Sequence, residues 1–145
     1  MRMAIEEAKK ASLIGEVPIG AVLVKDNKIV SSAHNMPIKL NDPSAHAEIN
    51  VLRDAGEKIG NYRLNECNLY VTLEPCLMCF GACIHARINN LIYASDDPKS
   101  GVITSNLNLV DETFLNHKIS ITKGVLSEES SQLLKDFFKE RRVKN

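Results

Sequence analysis

Residues 68–87 read NLYVTLEPCLMCFGACIHAR and change conformation in one step. Residues 68–73 are a short β-favouring run, which predicts a strand. Glu74-Pro75 breaks it, and the apolar pattern that resumes at Cys76 predicts a helix to about Arg87. Residues 90–94 predict a short strand directly after it. On the other side, the continuous apolar run 19–24 reads as a buried strand. Asp26-Asn27 supplies a turn, and residues 28–33 read as the antiparallel return strand.

Further out, residues 3–14 place Ala4, Ile5, Ala8, Ala11 and Ser12 on one helical face, with Gly15 as a stop. Residues 34–45 are rich in turn formers and read as loop. A helix is expected from residues 42–44 to about Ile59. Pro43 suits its first position, either Asp42 or Ser44 suits the cap, and Gly60 ends it. Residues 95–117 are less regular, with one short helix expected near 103–109. Ile119, Ile121 and Val125 suggest a last strand. Ser127-Glu128-Glu129 opens a C-terminal helix with acids in its first turn and bases in its last. Strands alternating with helices give an α/β sandwich.

The 145 residues are expected to form a single domain, 1–145, large enough to build a core without disulfides. Hydrophobic residues make up 44% and charged residues 25%, which excludes disordered, collagen-like and coiled-coil classes. No apolar run reaches the length of a membrane span, and no secretory signal is visible. A cytoplasmic location without a membrane partner is therefore expected. Eighteen basic residues balance eighteen acidic ones, so net charge lends no support to a nucleic-acid partner. Any such claim rests on local features. The cluster Lys139, Arg141, Arg142 and Lys144 is one. It equally fits a solvated helix end that complements the dipole.

The chemistry sits in His46-Ala47-Glu48 and Pro75-Cys76-Leu77-Met78-Cys79. A spacing of three at a helix start puts both sulfurs on one face. The free N–H groups and the dipole there favour thiolates, the form that binds zinc. A bare C-x-x-C also fits buried thiols or a redox pair. The preceding proline, the absence of tryptophan and a third candidate ligand, His46, weigh against both. Three protein ligands leave one tetrahedral position open, the pattern of a catalytic zinc site and not a structural one. The fourth position would take a water of lowered pKa. Glu48, two residues from His46, is placed to move that water's proton. Glu57, Glu66 and Glu74 read as ordinary solvated acids. Cys67 and Cys83 read as small buried hydrophobes, although Cys83 is near enough in sequence to be a fourth ligand.

The pattern H-x-E…P-C-x-x-C is the signature of the zinc nucleobase deaminases. Four stretches carry a resemblance to the bacterial tRNA-specific adenosine deaminases along nearly the whole chain. They are Gly15-Glu16-Val17-Pro18-Ile19-Gly20-Ala21-Val22, His34-Asn35, Asp42-Pro43-Ser44-Ala45-His46-Ala47-Glu48, and Tyr70-Val71-Thr72-Leu73-Glu74-Pro75-Cys76-Leu77-Met78-Cys79. Most are shared with free-base deaminases such as guanine deaminase. Tyr62-Arg63-Leu64, Asp97-Pro98-Lys99-Ser100-Gly101, Asn116-His117 and Asp136-Phe137-Phe138-Lys139-Glu140-Arg141-Arg142 favour the tRNA enzymes.

The resemblance implies a three-layer α/β/α cytidine-deaminase-like fold, its central mixed five-stranded sheet flanked by helices. It implies hydrolytic deamination of the wobble adenosine in a tRNA anticodon loop to inosine, by a homodimer with one zinc per subunit. His46, Cys76 and Cys79 would hold the metal, and Glu48 would shuttle protons. Asn35 and the Ala47 N–H would hydrogen-bond the base. Asp97, Phe138 and Arg141 would contact the RNA. The competing reading is a deaminase of a free guanine- or cytosine-type base or nucleoside.

The sequence departs from the family pattern at several places. Met1 stands close to the first helix. Phe80 replaces a small residue, which puts it in the dimer interface or against the pocket. Ala94 replaces glycine, and Val102-Ile103-Thr104 is bulkier than usual in a loop that flanks nucleic acid in relatives.

Overall fold

A computed structural model describes residues 1–145. Helix α1 (Arg2–Leu13) leads into the hairpin β1 (Gly20–Lys25) and β2 (Lys28–His34). A one-turn helix α2 (Pro37–Leu40) precedes α3 (Ala47–Ile59). Then come β3 (Asn68–Leu73), α4 (Leu77–His85), β4 (Asn90–Ser95), a 3₁₀ turn (Leu109–Asp111), β5 (Ser120–Lys123) and α5 (Ser127–Lys144). The five strands form one sheet in the order β2-β1-β3-β4-β5. β1 is antiparallel to both β2 and β3, while β3, β4 and β5 are parallel. The expected mixed sheet is present.

That topology decides where a site can form. β2 and β3 both run against β1, so they point the same way. The carboxyl ends of β2, β3, β4 and β5 therefore lie along one edge of the sheet, where α/β folds place their ligands.

Alternation divides the strand side chains between two helical layers. Ala21, Leu23, Leu69 and Val71 enter the main core with Ala47, Val51 and Ala55 of α3 and Phe80, Cys83 and Ile84 of α4. The other face meets α1 and α5, which touch each other and the sheet. Gly20 shows how closely α1 approaches. A Cβ there would lie 2.0 Å from Ala4 O and 2.5 Å from Ala8 N, so only glycine fits.

Four local expectations are corrected. The loop 34–45 contains α2, closed by Asn41 with φ of 49°. α3 begins at Ala47 and not at 42–44, because Asp42 Oδ1 accepts both the Ser44 N–H and the Ser44 hydroxyl and makes a separate turn. No helix spans 103–109; the N–H groups of Ile103, Thr104 and Ser105 bond the Glu74 carboxylate, and only the 3₁₀ turn at Leu109–Asp111 follows. Val125 lies outside β5 and is exposed.

α1 also buries a residue that its apolar pattern does not mark. Glu7 is 7% exposed and accepts hydrogen bonds from Lys10 Nζ at 2.7 Å and His34 Nδ1 at 2.7 Å. Burial works against its charge, but the bonds from Lys10 and His34 prevail and hold the carboxyl below its ordinary 4.5. A depressed carboxyl adds stability above its unfolded-state value and loses it as pH falls through the folded-state value. Glu7→Gln is expected to cost about 1–2 kcal/mol at neutral pH. The gap from wild type should close in urea titrations as pH falls below the ordinary carboxyl range. An equal gap at neutral and acidic pH would show that the charge is not what stabilises.

Candidate active site

Two chain segments bring the chemistry to the shared sheet edge. β2 ends at His34, so Asn35 and the loop leading to His46 start there. β3 ends at Leu73, and Cys76 follows three residues later. His46 and Cys76 are the extended cap residues of α3 and α4, with ψ of 156° and 174°. Their side chains thus meet where two helices present unpaired N–H groups.

His46 Nδ1 stands 3.7 Å from Cys76 Sγ and 3.5 Å from Cys79 Sγ, and the three ligand atoms lie within 4.8 Å of one another. Zn–S and Zn–N bonds of about 2.3 and 2.0 Å at tetrahedral angles set N···S separations near ~3.6 Å. The donor set fits a zinc ion in spacing and in softness. Cys83 is buried but takes no part in the cluster, and Cys67 is buried elsewhere. Both are the small hydrophobes the pattern suggested.

The thiols differ. The Cys79 thiol, with His46 beside it, pulls Cys76 down to about 4 against the effect of burial. Cys79 is pushed strongly upward by that same hydrogen bond and by burial. The Cys76 thiol is thus the one favoured as thiolate, the form that binds a metal.

Glu48, in the first turn of α3, is 4% exposed. Burial lifts its carboxyl to about 7; its own backbone N–H works against that, and the Cys76 charge adds to it. Burial beside the three ligand residues places this carboxyl where it could exchange a proton with a group bound there.

Asn35 is buried and its Oδ1 accepts the Ala47 N–H at 3.2 Å. It thereby supplies α3 with the cap that His46 does not provide. The two base-binding candidates are thus bonded to each other, with the Asn35 amide N–H₂ left over. Asp97 lies on the loop after β4 at the same edge. Its carboxylate takes the Lys99 N–H and the Ser100 hydroxyl, and its own N–H bonds Glu74. Phe138 is 43% exposed and shares a cleft of about 400 Å³ with Lys99, Leu134, Lys135, Arg141 and Arg142. Arg141 is tied down: it donates to Gly15 O at 2.6 Å and lies 4.9 Å over the Phe137 ring.

Other sequence features fall elsewhere. His117 Nε2 bonds Ile88 O and Arg87 bonds Asn116, so this pair pins its loop beside the start of β4, at the opposite sheet edge. Phe80, Val102 and Ile103 all enter the main core. The bulk that seemed to face a partner, the pocket or nucleic acid faces inward.

Glu74 is the residue that sequence reasoning missed. It is 2% exposed. Oε1 accepts the Asp97 N–H and the Ser105 hydroxyl, and Oε2 accepts the N–H groups of Ile103, Thr104 and Ser105 at 3.0–3.1 Å. Although burial opposes its charge, the Ser105 hydroxyl and these N–H groups keep it ionised below the usual range. A Cβ on Gly101 would fall 2.3 Å from its carboxyl carbon, so the loop closes on the acid only because Gly101 has none.

Comparison with known proteins agrees with this geometry. The model of the MafB19-like deaminase family matches residues 1–142. The tRNA-specific adenosine deaminase of Haemophilus influenzae is 49% identical over 98% of this chain and 83% of its own length. The chain belongs to this deaminase family. Among solved structures, the deaminase resembles one from a study of A-to-I editing by tRNA:A34 deaminases at the wobble position of transfer RNA. That match has a TM-score of 0.90 and 42% identity, over 92% of this chain and 97% of the other. A guanine deaminase from Bacillus subtilis aligns at TM-score 0.66 and 31% identity, over 97% of this chain and 90% of its own. No helix of the deaminase is long and apolar enough to cross a membrane.

Proposed function

We infer that this deaminase converts the wobble adenosine of a tRNA anticodon loop to inosine by hydrolysis, releasing ammonia. The observation that carries the reading is the convergence of His46, Cys76 and Cys79 beside the buried Glu48 carboxyl. Relatives named for tRNA adenosine deamination supply the substrate class.

His46, Cys76 and Cys79 would hold one zinc per subunit. When bound, zinc supplies the Lewis acidity that makes water a nucleophile near neutral pH. Glu48 takes one proton from the attacking water and gives it to the ring nitrogen, then takes the second from the added hydroxyl and gives it to the departing amine. The Asn35 amide N–H₂ orients the flipped base, and Ala47 anchors Asn35 through its N–H. The exposure of Leu77 (63%) and Met78 (38%), next to the ligand residues in the chain, supports a macromolecular substrate. A small free base needs enclosure. Asp97 and Phe138 are RNA-contact candidates, the latter with Lys99 and Arg142 in its cleft. Arg141 acts by holding α5 to the Gly15 turn. Free thiols and a tRNA substrate fit the cytoplasm.

We further infer a homodimer, which the family resemblance implies. The face available for it lies between α3 and α4, where Ile49, Leu52, Tyr62 and Ala82 line a groove of about 680 Å³. Light scattering measures it directly.

The deciding assay is inosine formation on an anticodon stem-loop with adenosine at the wobble position. Zinc-replete protein is expected to make inosine there and to leave free guanine and cytosine unchanged. Ammonia from guanine with an untouched stem-loop would transfer the assignment to the free-base class.

A further inference from the structure

Asn50 is the fourth residue of α3 and is half-buried. Its amide nitrogen donates to two carbonyls, His34 O at 2.9 Å and Ala45 O at 3.1 Å. These belong to separate segments. His34 ends β2 and directly precedes Asn35, whereas Ala45 directly precedes His46. Both N–H bonds of one planar group are thus used to join the backbone behind the base-binding candidate to the backbone behind the metal-ligand candidate.

The other ties on the Ala45–His46 peptide come from the backbone: the Ala45 carbonyl also accepts the Met36 N–H, and the His46 N–H bonds Ser44 O. The Ala45 N–H bonds Asp42 O, and the Asn35 N–H bonds Ile19 O. The orientation of the Ala45–His46 peptide sets where the imidazole points. The only side chain that bonds it is Asn50.

We propose that Asn50 is a positioning residue for deamination, setting the His46 imidazole and the Asn35 amide in mutual register. The proposal rests on the zinc and substrate reading above. Residues that orient metal ligands through hydrogen bonds commonly change metal affinity or activity by tens of fold. A residue that serves stability alone leaves both unchanged once the protein is folded.

The test compares Asn50→Asp, the same shape without an N–H, and Asn50→Leu, of similar bulk, with wild type and a His46→Ala control. Zinc affinity is measured by chelator competition. kcat and KM are measured on the anticodon stem-loop, well below each variant's melting temperature. Both Asn50 variants are expected to bind zinc about tenfold more weakly. Their kcat should fall about tenfold or more with KM nearly unchanged. Folded variants with wild-type zinc affinity and kcat would overturn the proposal. So would variants that do not fold, which would assign Asn50 to general stability. If wild type and His46→Ala hold zinc equally, the site assignment fails first and the proposal falls with it.

Discussion

Glu48→Gln is expected to abolish turnover while leaving the metal site filled. Glutamine keeps the shape of the buried side chain and cannot exchange a proton. A positioned acid–base group contributes about 10²–10⁴-fold to rate. On the proposed mechanism Glu48 serves more than one transfer, so the loss in kcat on the stem-loop should lie near the top of that range. KM should change little, because Glu48 is buried and the proposed RNA contacts, Asp97 and Phe138, sit on other segments. Zinc content should stay at about one per chain, since the donor atoms come from His46, Cys76 and Cys79. Single-turnover measurements isolate the chemical step. A variant that retains a tenth of wild-type kcat would remove Glu48 from the proton path.

The location of this chemistry was legible because the signal is local. Cys76 and Cys79 share a helix turn, and His46 and Glu48 share another. Each pair needs only its own helix start to be placed correctly. The strands were legible for a similar reason. Apolar runs bounded by Asp26-Asn27 or Glu74-Pro75 leave few other conformations.

Where side chains compete with local preference, no such local signal exists. Pro43 and Ser44 suit a helix start, but the Asp42 carboxylate binds Ser44 more locally, and α3 waits until Ala47. Phe80 and Val102 look like surface departures when read against a family pattern. The core accommodates them because the two segments pack together inside. Glu74 is the clearest case. Its partners are backbone N–H groups 23 to 31 residues away, and backbone donors leave no mark in a sequence.

Glu74 therefore carries the second large prediction. Glu74→Gln replaces one accepting oxygen with an N–H₂ group. Donors that now meet at a buried carboxylate would then face a group that cannot accept them. Each buried donor left unpaired costs about 1–3 kcal/mol. Relaxation of an exposed loop recovers part of this, so a net loss of about 2–4 kcal/mol is expected. For a domain near this size that is a fall of roughly 5–15 °C in melting temperature. Calorimetry measures it, and hydrogen exchange at Ile103, Thr104 and Ser105 should locate it. The functional consequence follows from position. Glu74 precedes Pro75-Cys76, and the Val102 N–H bonds Pro75 O, so the loop that the acid gathers lies against the metal-ligand turn. Asp97 and Lys99 ride on the same loop. Loosening it should raise KM for the stem-loop about tenfold at a temperature where the variant is folded, with kcat within about threefold. A variant that melts within about 2 °C of wild type and exchanges those amides no faster would show that the loop is held by something other than the acid.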